Sequence, residues 1–550
     1  MVFCLLCGGR RNAHMSNDPT SDQPRSRKRL LKWIGIALLI AAATLITAGL
    51  IVAHRAASVI KTRIIETLHA SFHGRVELGN VDVAAMHGFE VTGDDLRIYP
   101  PDNLVAAGVT QPLIAVKRFD FHAPFLGLFV SPMHVGAVEI EGLAIDVPPG
   151  GMRSQAMPPP AKKPHDKIAI LVDEIVCNNS SLIVENANPD KGPKDFALRH
   201  IELHNVGPKD PWRYQATLIN AIPRGEIQAS GNFGPWQIDS PGDTPVTGHY
   251  TFQHADLNTI NGLGGILSST GDFQGQLNRI TIDGTTETPD FSLDSANHPT
   301  PLRTRFHAIV DGITGDTYLQ PVQATLRNSS FTASGKVVNI HGKGHMIDLD
   351  VDIPAGRLQD FLGLAVKTEP PVLTSVIGAK AKLHIRPGKE RVVQKLSIQG
   401  SFTLRSIRFT NPEVQDKVDM LSLRARGEPE KAKPGAEDVK SHMAGNFSLQ
   451  QGSIDFPRLA YTLPGAQVNL AGVYSLNGEV FDFTGHVLTD VPLSKMVESR
   501  WASLALRMVS PLFRRKGGGA DIPVKISGTR SAPKFGLDML GRHAHDGRGL

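Results

Sequence analysis

The feature that most restricts this fold is a two-residue hydrophobic period. His345–Pro354 reads H-M-I-D-L-D-V-D-I-P. Side chains two apart on a strand share one face. Ile347, Leu349, Val351 and Ile353 therefore form an apolar face, and Asp348, Asp350 and Asp352 a polar one. A calcium loop of similar spacing needs glycine at its sixth position and a distant glutamate. The sixth position here is Ile353, so the sequence reads as an amphipathic strand instead. The same alternation recurs over 168–176, 182–184, 198–203, 215–219, 226–233, 248–253, 272–282, 304–310, 323–326 and 331–340. Glycine (53) and proline (38) punctuate these segments, which predicts a mainly β protein. At 550 residues the chain is too long for one ordinary compact core.

A different pattern stands near the start. Trp33–Ala53 is free of charge. As a helix its twenty-one residues span about 31 Å, the thickness of a bilayer's hydrocarbon. Arg25, Arg27, Lys28, Arg29 and Lys32 precede it, and Arg55, Lys61 and Arg63 follow. That excess of positive charge places the N-terminus in the cytoplasm. The apolar run is longer than a cleaved signal peptide needs, so an uncleaved transmembrane helix is expected. Residues 57–72 continue as a helix, with Ile60, Ile64, Leu68 and Phe72 every four residues and Gly74 as its stop. In R-V-E-L-G-N-V-D-V the apolar parity flips at Gly79-Asn80, predicting a bulge or turn. Two further amphipathic helices are expected over 355–364 and 414–424.

The strongest helical pattern beyond the N-terminal region lies in 493–510. Leu493, Val497, Trp501, Leu504 and Met508 share a face edged by Arg500 and Arg507. Such a helix suits a membrane surface, or it packs on a sheet with its arginines in water. Short echoes also recur: Gly231-Asn232-Phe233, Gly271-Asp272-Phe273, Gly400-Ser401-Phe402, Gly445-Asn446-Phe447 and Gly472-Val473-Tyr474. Each is read as a glycine opening a strand that carries an aromatic. Their uneven spacing excludes a propeller or strict solenoid.

Chemistry is sparse. The motifs of zinc proteases, phosphate-binding loops and serine-hydrolase elbows are absent. Cys4-x-x-Cys7 has no matching second pair, and a start at Met15 removes both cysteines. His341 and His345 flank glycines in an expected turn. No catalytic residue, cofactor or metal site is expected. Net charge is +5 and aromatics are 6%, with no basic run interleaved with aromatics, so a nucleic-acid surface is not indicated.

The anchor, the helix after it, R-V-E-L-G-N-V-D-V and the block Ala115–Pro148 together resemble the start of AsmA-like envelope proteins. Phe233–Trp236 (F-G-P-W), Pro289–Leu293, Arg305–Val322, Phe409–Gly427 and Ile522–Phe535 are similar to later patterns of that family. The resemblance covers most of residues 30–540. It implies an inner-membrane-anchored periplasmic protein of a Gram-negative-type bacterium. It also implies kinship with the TamB-like and chorein-like bridge proteins, whose long curved sheet forms an apolar groove for phospholipid acyl chains. No catalytic residues carry over, and the chain is short for a bridge spanning the whole envelope.

The expected organisation is a cytoplasmic tail (1–32), a transmembrane helix (33–53) and an N-terminal helix-and-β domain (54–150). A Pro/Lys-rich linker (151–166), an extended sheet (167–490), an amphipathic helix (491–516) and C-terminal strands with a polar tail (517–550) follow. About 20 strands at 4.8 Å make a sheet roughly 100 Å long. Two functions fit. One is an elongated, curved β-groove whose apolar strand face (Ile347, Leu349, Val351, Ile353) binds or conducts phospholipid for outer-membrane homeostasis. The other is a scaffold or assembly factor for outer-membrane proteins, with a closed core, a periplasmic or outer-membrane protein partner and no lipid cargo. Periodicity alone leaves both open, because a closed core and a groove produce the same alternation.

Overall fold

The computed structural model describes Thr44 and residues 58–537, other than 63, 67, 70–73, 86–87, 107, 125–132, 149–169, 185–193, 208, 236, 238–240, 313, 341–342, 368, 499–512, 514 and 516–517. The expected transmembrane helix, Trp33–Ala53, lies outside the described residues except for Thr44. Among the described residues no helix is long and apolar enough to cross a membrane.

The chain is mainly β. Among the described residues twenty-five strands, numbered here in chain order from β1 (Val76–Glu77) to β25 (Ala532–Leu537), join in one elongated mixed sheet. Nearly every strand pairs antiparallel with its neighbour in sequence. Val76–Glu77 and Leu263–Gly264 instead pair one strand further on, with Phe89–Ile98 and Arg279–Leu293, and among the described residues β5 (Met133–Val147) and β6 (Ile170–Val184) are the one pair that runs parallel. Parallel neighbours need a long crossover, here one that carries the chain back along roughly 50 Å of strand. Residues 149–169 lie outside the described residues, but the sheet continues from one flank to the other.

Antiparallel pairing puts the connections on two opposite rims. From β10 (Pro245–Asp256) onward, one rim carries, of the described residues, 257–265, 294–299, 327–328, 358–367, 369–372, 410–440, 464–465, 490–498, 513, 515 and 518–520. The other carries 277–278, 311–312, 314–316, 343, 386–395, 451–452, 476–479 and 530–531.

The parity flip at Gly79-Asn80 is a true break. Strands Val76–Glu77 and Val81–Ala85 both pair with Phe89–Ile98; across the gap Gly79 N donates to the Asp94 carbonyl and Asp94 N donates to the Asn80 carbonyl. Helical residues occupy 58–62, 64–66 and 68–69, with Ile60, Ile64 and Leu68 half-buried and Ser58, Thr62 and Glu66 exposed. Ile64 and Ile65 pack on Leu78, Val116 and Phe119. The later helices form at Leu358–Ala365 and Pro412–Ala425, within a few residues of their expected bounds.

Three expectations need correction. The segment 272–282 is not one strand: Ile266–Gln276 and Arg279–Leu293 meet at a turn through Leu277-Asn278, which has neither glycine nor proline. Segments 168–176 and 182–184 are one strand, Ile170–Val184. The echo glycines do not open strands. Gly271, Gly400, Gly445 and Gly472 stand inside them, opposite aromatic residues. Gly248 faces Phe273 while Tyr250 faces Gly271, and Gly400 faces Phe447 while Phe402 faces Gly445. A Cβ on Gly248 would lie 2.8 Å from Phe273 Cζ, and one on Gly271 would lie 3.0 Å from Tyr250 Cε1. The missing side chain makes room for the ring, an aromatic covering a glycine on the neighbouring strand.

Candidate functional site

The site is built from single strands upward. On β17 (Gly344–Arg357), Ile347, Leu349, Val351 and Ile353 are all half-buried. Ile347 lies between Val337 and Ile385, Leu349 between Gly335 and Leu383, and Val351 between Ala333 and Ala381. Gly335 is needed opposite Leu349, because a Cβ there would sit 2.0 Å from the Asp348 carbonyl oxygen. The aspartates are on the opposite face, paired across to β18 (Leu373–Ile385). Asp348 meets His384 at 2.6 Å, Asp350 meets Lys382 at 2.8 Å and Asp352 meets Lys380 at 3.4 Å. They form a cross-strand ladder, each carboxylate with its own partner rather than with one another.

Registered pairs extend Leu349 into a row across the sheet. Toward the C-terminal edge the row runs through Leu383, Ile398, Leu449, Ile454, Tyr474, Phe481, Gly528 and Pro533. Toward the N-terminal edge it runs first through Gly335, Leu319, Ala308, Ile282, Phe273, Gly248, Gly231 and Tyr214. It continues through Leu203, Ile175, Val138, Phe121, Val91 and Val83. Every strand contributes except the two-residue strands Val76–Glu77 and Leu263–Gly264, and the only polar groups are two phenols. Val91 and Ala308 are buried, and the rest of the row is half-buried.

The row through Asp352 is the reverse. It runs from Asp94, Arg118 and Glu141 through Thr251, Thr270 and Thr285 to Lys380, Ser401, Asn446 and Arg458, polar at each strand. The contrast shows in the ionisation of the tyrosines. Burial pushes the Tyr214 phenol up to about 12, and burial with the nearby Glu479 carboxylate does the same for Tyr474. Both stand in the apolar row, where the charged phenolate is poorly solvated.

The apolar face has a second zone about 20 Å away along the strands. There Ile377, Leu404, Tyr461, Val468 and Val487 are buried in one row that passes through half-buried Met443. Leu358, Phe361, Val418 and Leu421 of the two later helices cover it, joined by buried Val439 and Met496. Ile353 packs at the edge of this closed core, whereas Ile347, Leu349 and Val351 are not among its members. The expected lipid-facing strand thus straddles both environments.

Of the expected amphipathic helix, Leu493–Lys495 form a 3-10 turn followed by buried Met496 and half-buried Val497. Arg500, Trp501, Leu504, Arg507 and Met508 lie outside the described residues. Cys177 is buried on the apolar face opposite Ile140 and Ile201, and burial raises its thiol to about 11. Among the described residues no cluster of three or more histidine, cysteine or acidic side chains is arranged to hold a metal ion. His204, Arg213, Gln215, Ser230 and Asn232 line an open hollow together with Tyr214, Gly231 and Asp173, whose carboxylate is 2.8 Å from His134.

The row itself was missed by sequence reasoning. Each strand's alternation was visible, but the register that aligns the strands is a property of the pairing. Comparison with protein-family models, curated proteins and solved structures finds no match to this chain.

Proposed function

We propose that the chain is a membrane-anchored periplasmic protein that carries phospholipid acyl chains along the apolar face of its sheet. The observation that carries this reading is the unbroken apolar row from Val83 to Pro533, half-buried along most of its length. An ordinary β-sandwich hides such a face against a second sheet. Here all twenty-five strands belong to one sheet, and helices close only part of the face. A sheet curved toward its apolar side forms a trough, in which crowding half-buries the side chains and a hydrocarbon chain completes the burial. Burying apolar surface is worth about 25 cal/mol per Å², so an acyl chain lying along the row gains several kcal/mol. The polar reverse face keeps the whole in water.

In this reading the span Trp33–Ala53 anchors the N-terminal edge in the inner membrane. Lipid moves between that membrane and the outer one, with a protein partner in the periplasm or outer membrane. No catalysis is involved.

The test is photo-crosslinking in intact cells. The photoreactive residue p-benzoylphenylalanine replaces Leu349 or, as the control, Asp350 in the full chain. Illumination is expected to attach phosphate-labelled lipid at 349 and at least tenfold less at 350. Equal labelling, or none at 349, would sink the lipid reading and favour a scaffold with a closed core.

A further inference from the structure

Two contacts join opposite rims of the sheet. Asp294 and Asn261 lie on one rim, at the end of β13 (Arg279–Leu293) and before β11 (Leu263–Gly264). Residues 386–395 lie on the other, between β18 and β19 (Leu396–Phe409). Yet Arg391 Nε donates to Asp294 Oδ2 at 2.6 Å, Val392 N donates to the Asn261 carbonyl at 3.1 Å, and Asn261 Nδ2 donates to the Lys389 carbonyl at 3.2 Å. The strands from Thr300–Val310 to Gly344–Arg357 stand between β13 and β18. In a flat sheet the two places would be diagonal corners, roughly 40 Å apart at the usual strand spacing and rise. Further along, Arg530 donates to the Pro370 carbonyl across a similar interval and on the same diagonal. The twist of a sheet rotates successive strands by about 20–25°, so five or six strands turn one rim toward the other. Coiling then brings them into contact.

We propose that residues 386–395 are a strap fastened across the mouth of the trough, and that its release opens the apolar face sideways to lipid. This rests on the lipid reading above. The loop is braced within itself by five contacts: Arg386 on Glu390 at 2.9 Å, Lys395 Nζ on the Gly388 carbonyl at 2.9 Å, and main-chain bonds from Gln394 N and Lys395 N to the Arg391 carbonyl and from Arg386 N to the Lys395 carbonyl. Its hold on the far rim is smaller: one ion pair and two hydrogen bonds. An assembly rigid in itself and lightly tied at its tip swings as a unit. Its base reaches the trough, since Leu396 and Ile385 continue the apolar row of Ile347.

The test uses the full chain in membranes, with its native cysteines replaced and Asp294→Cys combined with Arg391→Cys. A short, reducible bis-thiosulfonate is expected to join the two within one chain in most molecules. Asp294→Cys with Lys343→Cys, on the same two rims but a different turn, is the control and is expected to stay unjoined. With p-benzoylphenylalanine also at 349, joining the strap is expected to lower lipid labelling at least fivefold, and reduction to restore it. Failure to crosslink within the chain overturns the strap. Crosslinking with unchanged lipid labelling overturns its gating role while leaving the lipid reading intact. Absence of lipid labelling both before and after reduction removes the lipid reading, and the gate with it, leaving only a brace between rims.

Discussion

Leu404 and Leu349 are both leucines on the apolar face of one sheet, but their surroundings differ. Leu404 is 4% exposed, between Ile377 and Met443 and beneath the helices. Leu349 is half-buried beside Gly335. Truncating a leucine in a closed core removes its transfer energy and leaves a cavity, a cost of about 2–5 kcal/mol. Truncating one whose far side is open leaves no enclosed cavity, and the expected cost is under about 1.5 kcal/mol. Leu404→Ala is therefore expected to lower the urea midpoint of unfolding several times more than Leu349→Ala. Equal losses would mean that the middle of the face is also a closed core. At this scale much was legible in the sequence. The parity of Ile347, Leu349, Val351 and Ile353 was read correctly because period two fixes which side chains share a face. What alternation could not supply was the cover over that face, which comes from residues far away in sequence. It also could not name the partners of the aspartates: Lys380, Lys382 and His384 reach them only through strand pairing.

Among the elements, the helix Pro412–Ala425 illustrates how a local signal and a buried polar group combine. The Asn411 side chain accepts a hydrogen bond from Glu413 N at 2.9 Å, and Pro412 occupies the first turn, where no helical N–H bond is lost. The amphipathic pattern, rather than these caps, placed the helix within a few residues from sequence alone. Its buried Asp419 was not foreseen. Asp419 accepts from Gln415 Nε2 at 2.8 Å and from Val439 N at 3.2 Å, tying the helix to the segment that follows it. Burial outweighs these bonds and holds the carboxyl above the ordinary aspartate range. The sign of the effect follows. A folded-state pKa above the unfolded one of about 3.9 favours the fold in acid. That contribution is complete below the unfolded value and is lost as pH rises through the folded value. Relative to Asp419→Asn, the wild type is therefore expected to lose stability as pH climbs from about 3 toward neutrality, read as the difference between their urea midpoints. A difference constant with pH would show that burial does not disfavour the carboxylate. Elements marked by ordinary punctuation were easy to read. The hairpin at Leu277-Asn278 was not, because its turn lacks glycine and proline. The echo glycines misled for the converse reason: glycine is usually a turn signal, but here it makes space for rings in mid-sheet.

For the molecule as a whole, the decisive property is continuity, and continuity is invisible in a sequence. Mainly β content and a long sheet could be read from repeated short alternations, but the alignment of Val83 with Pro533 through successive registers could not. If lipid moves along this row, one obstacle has a directional effect that a static binding site cannot produce. Leu383 stands near the middle, half-buried between Leu349 and Ile398. Leu383→Asp places a charge in the apolar row, where removal of the carboxylate from water costs several kcal/mol unless the site stays wet. An acyl chain cannot share that position without stripping the water away. Phe273 and Tyr474 report on the two sides, because p-benzoylphenylalanine replaces a ring with a ring at each. A conduit fed from one end is expected to keep its lipid labelling on the feeding side and lose most of it beyond residue 383. Separate binding sites would keep labelling at both reporters, and unfolding of the sheet would abolish both. Loss at Tyr474 alone would assign supply to the edge nearest the expected membrane anchor, while loss at Phe273 alone would reverse the direction of flow.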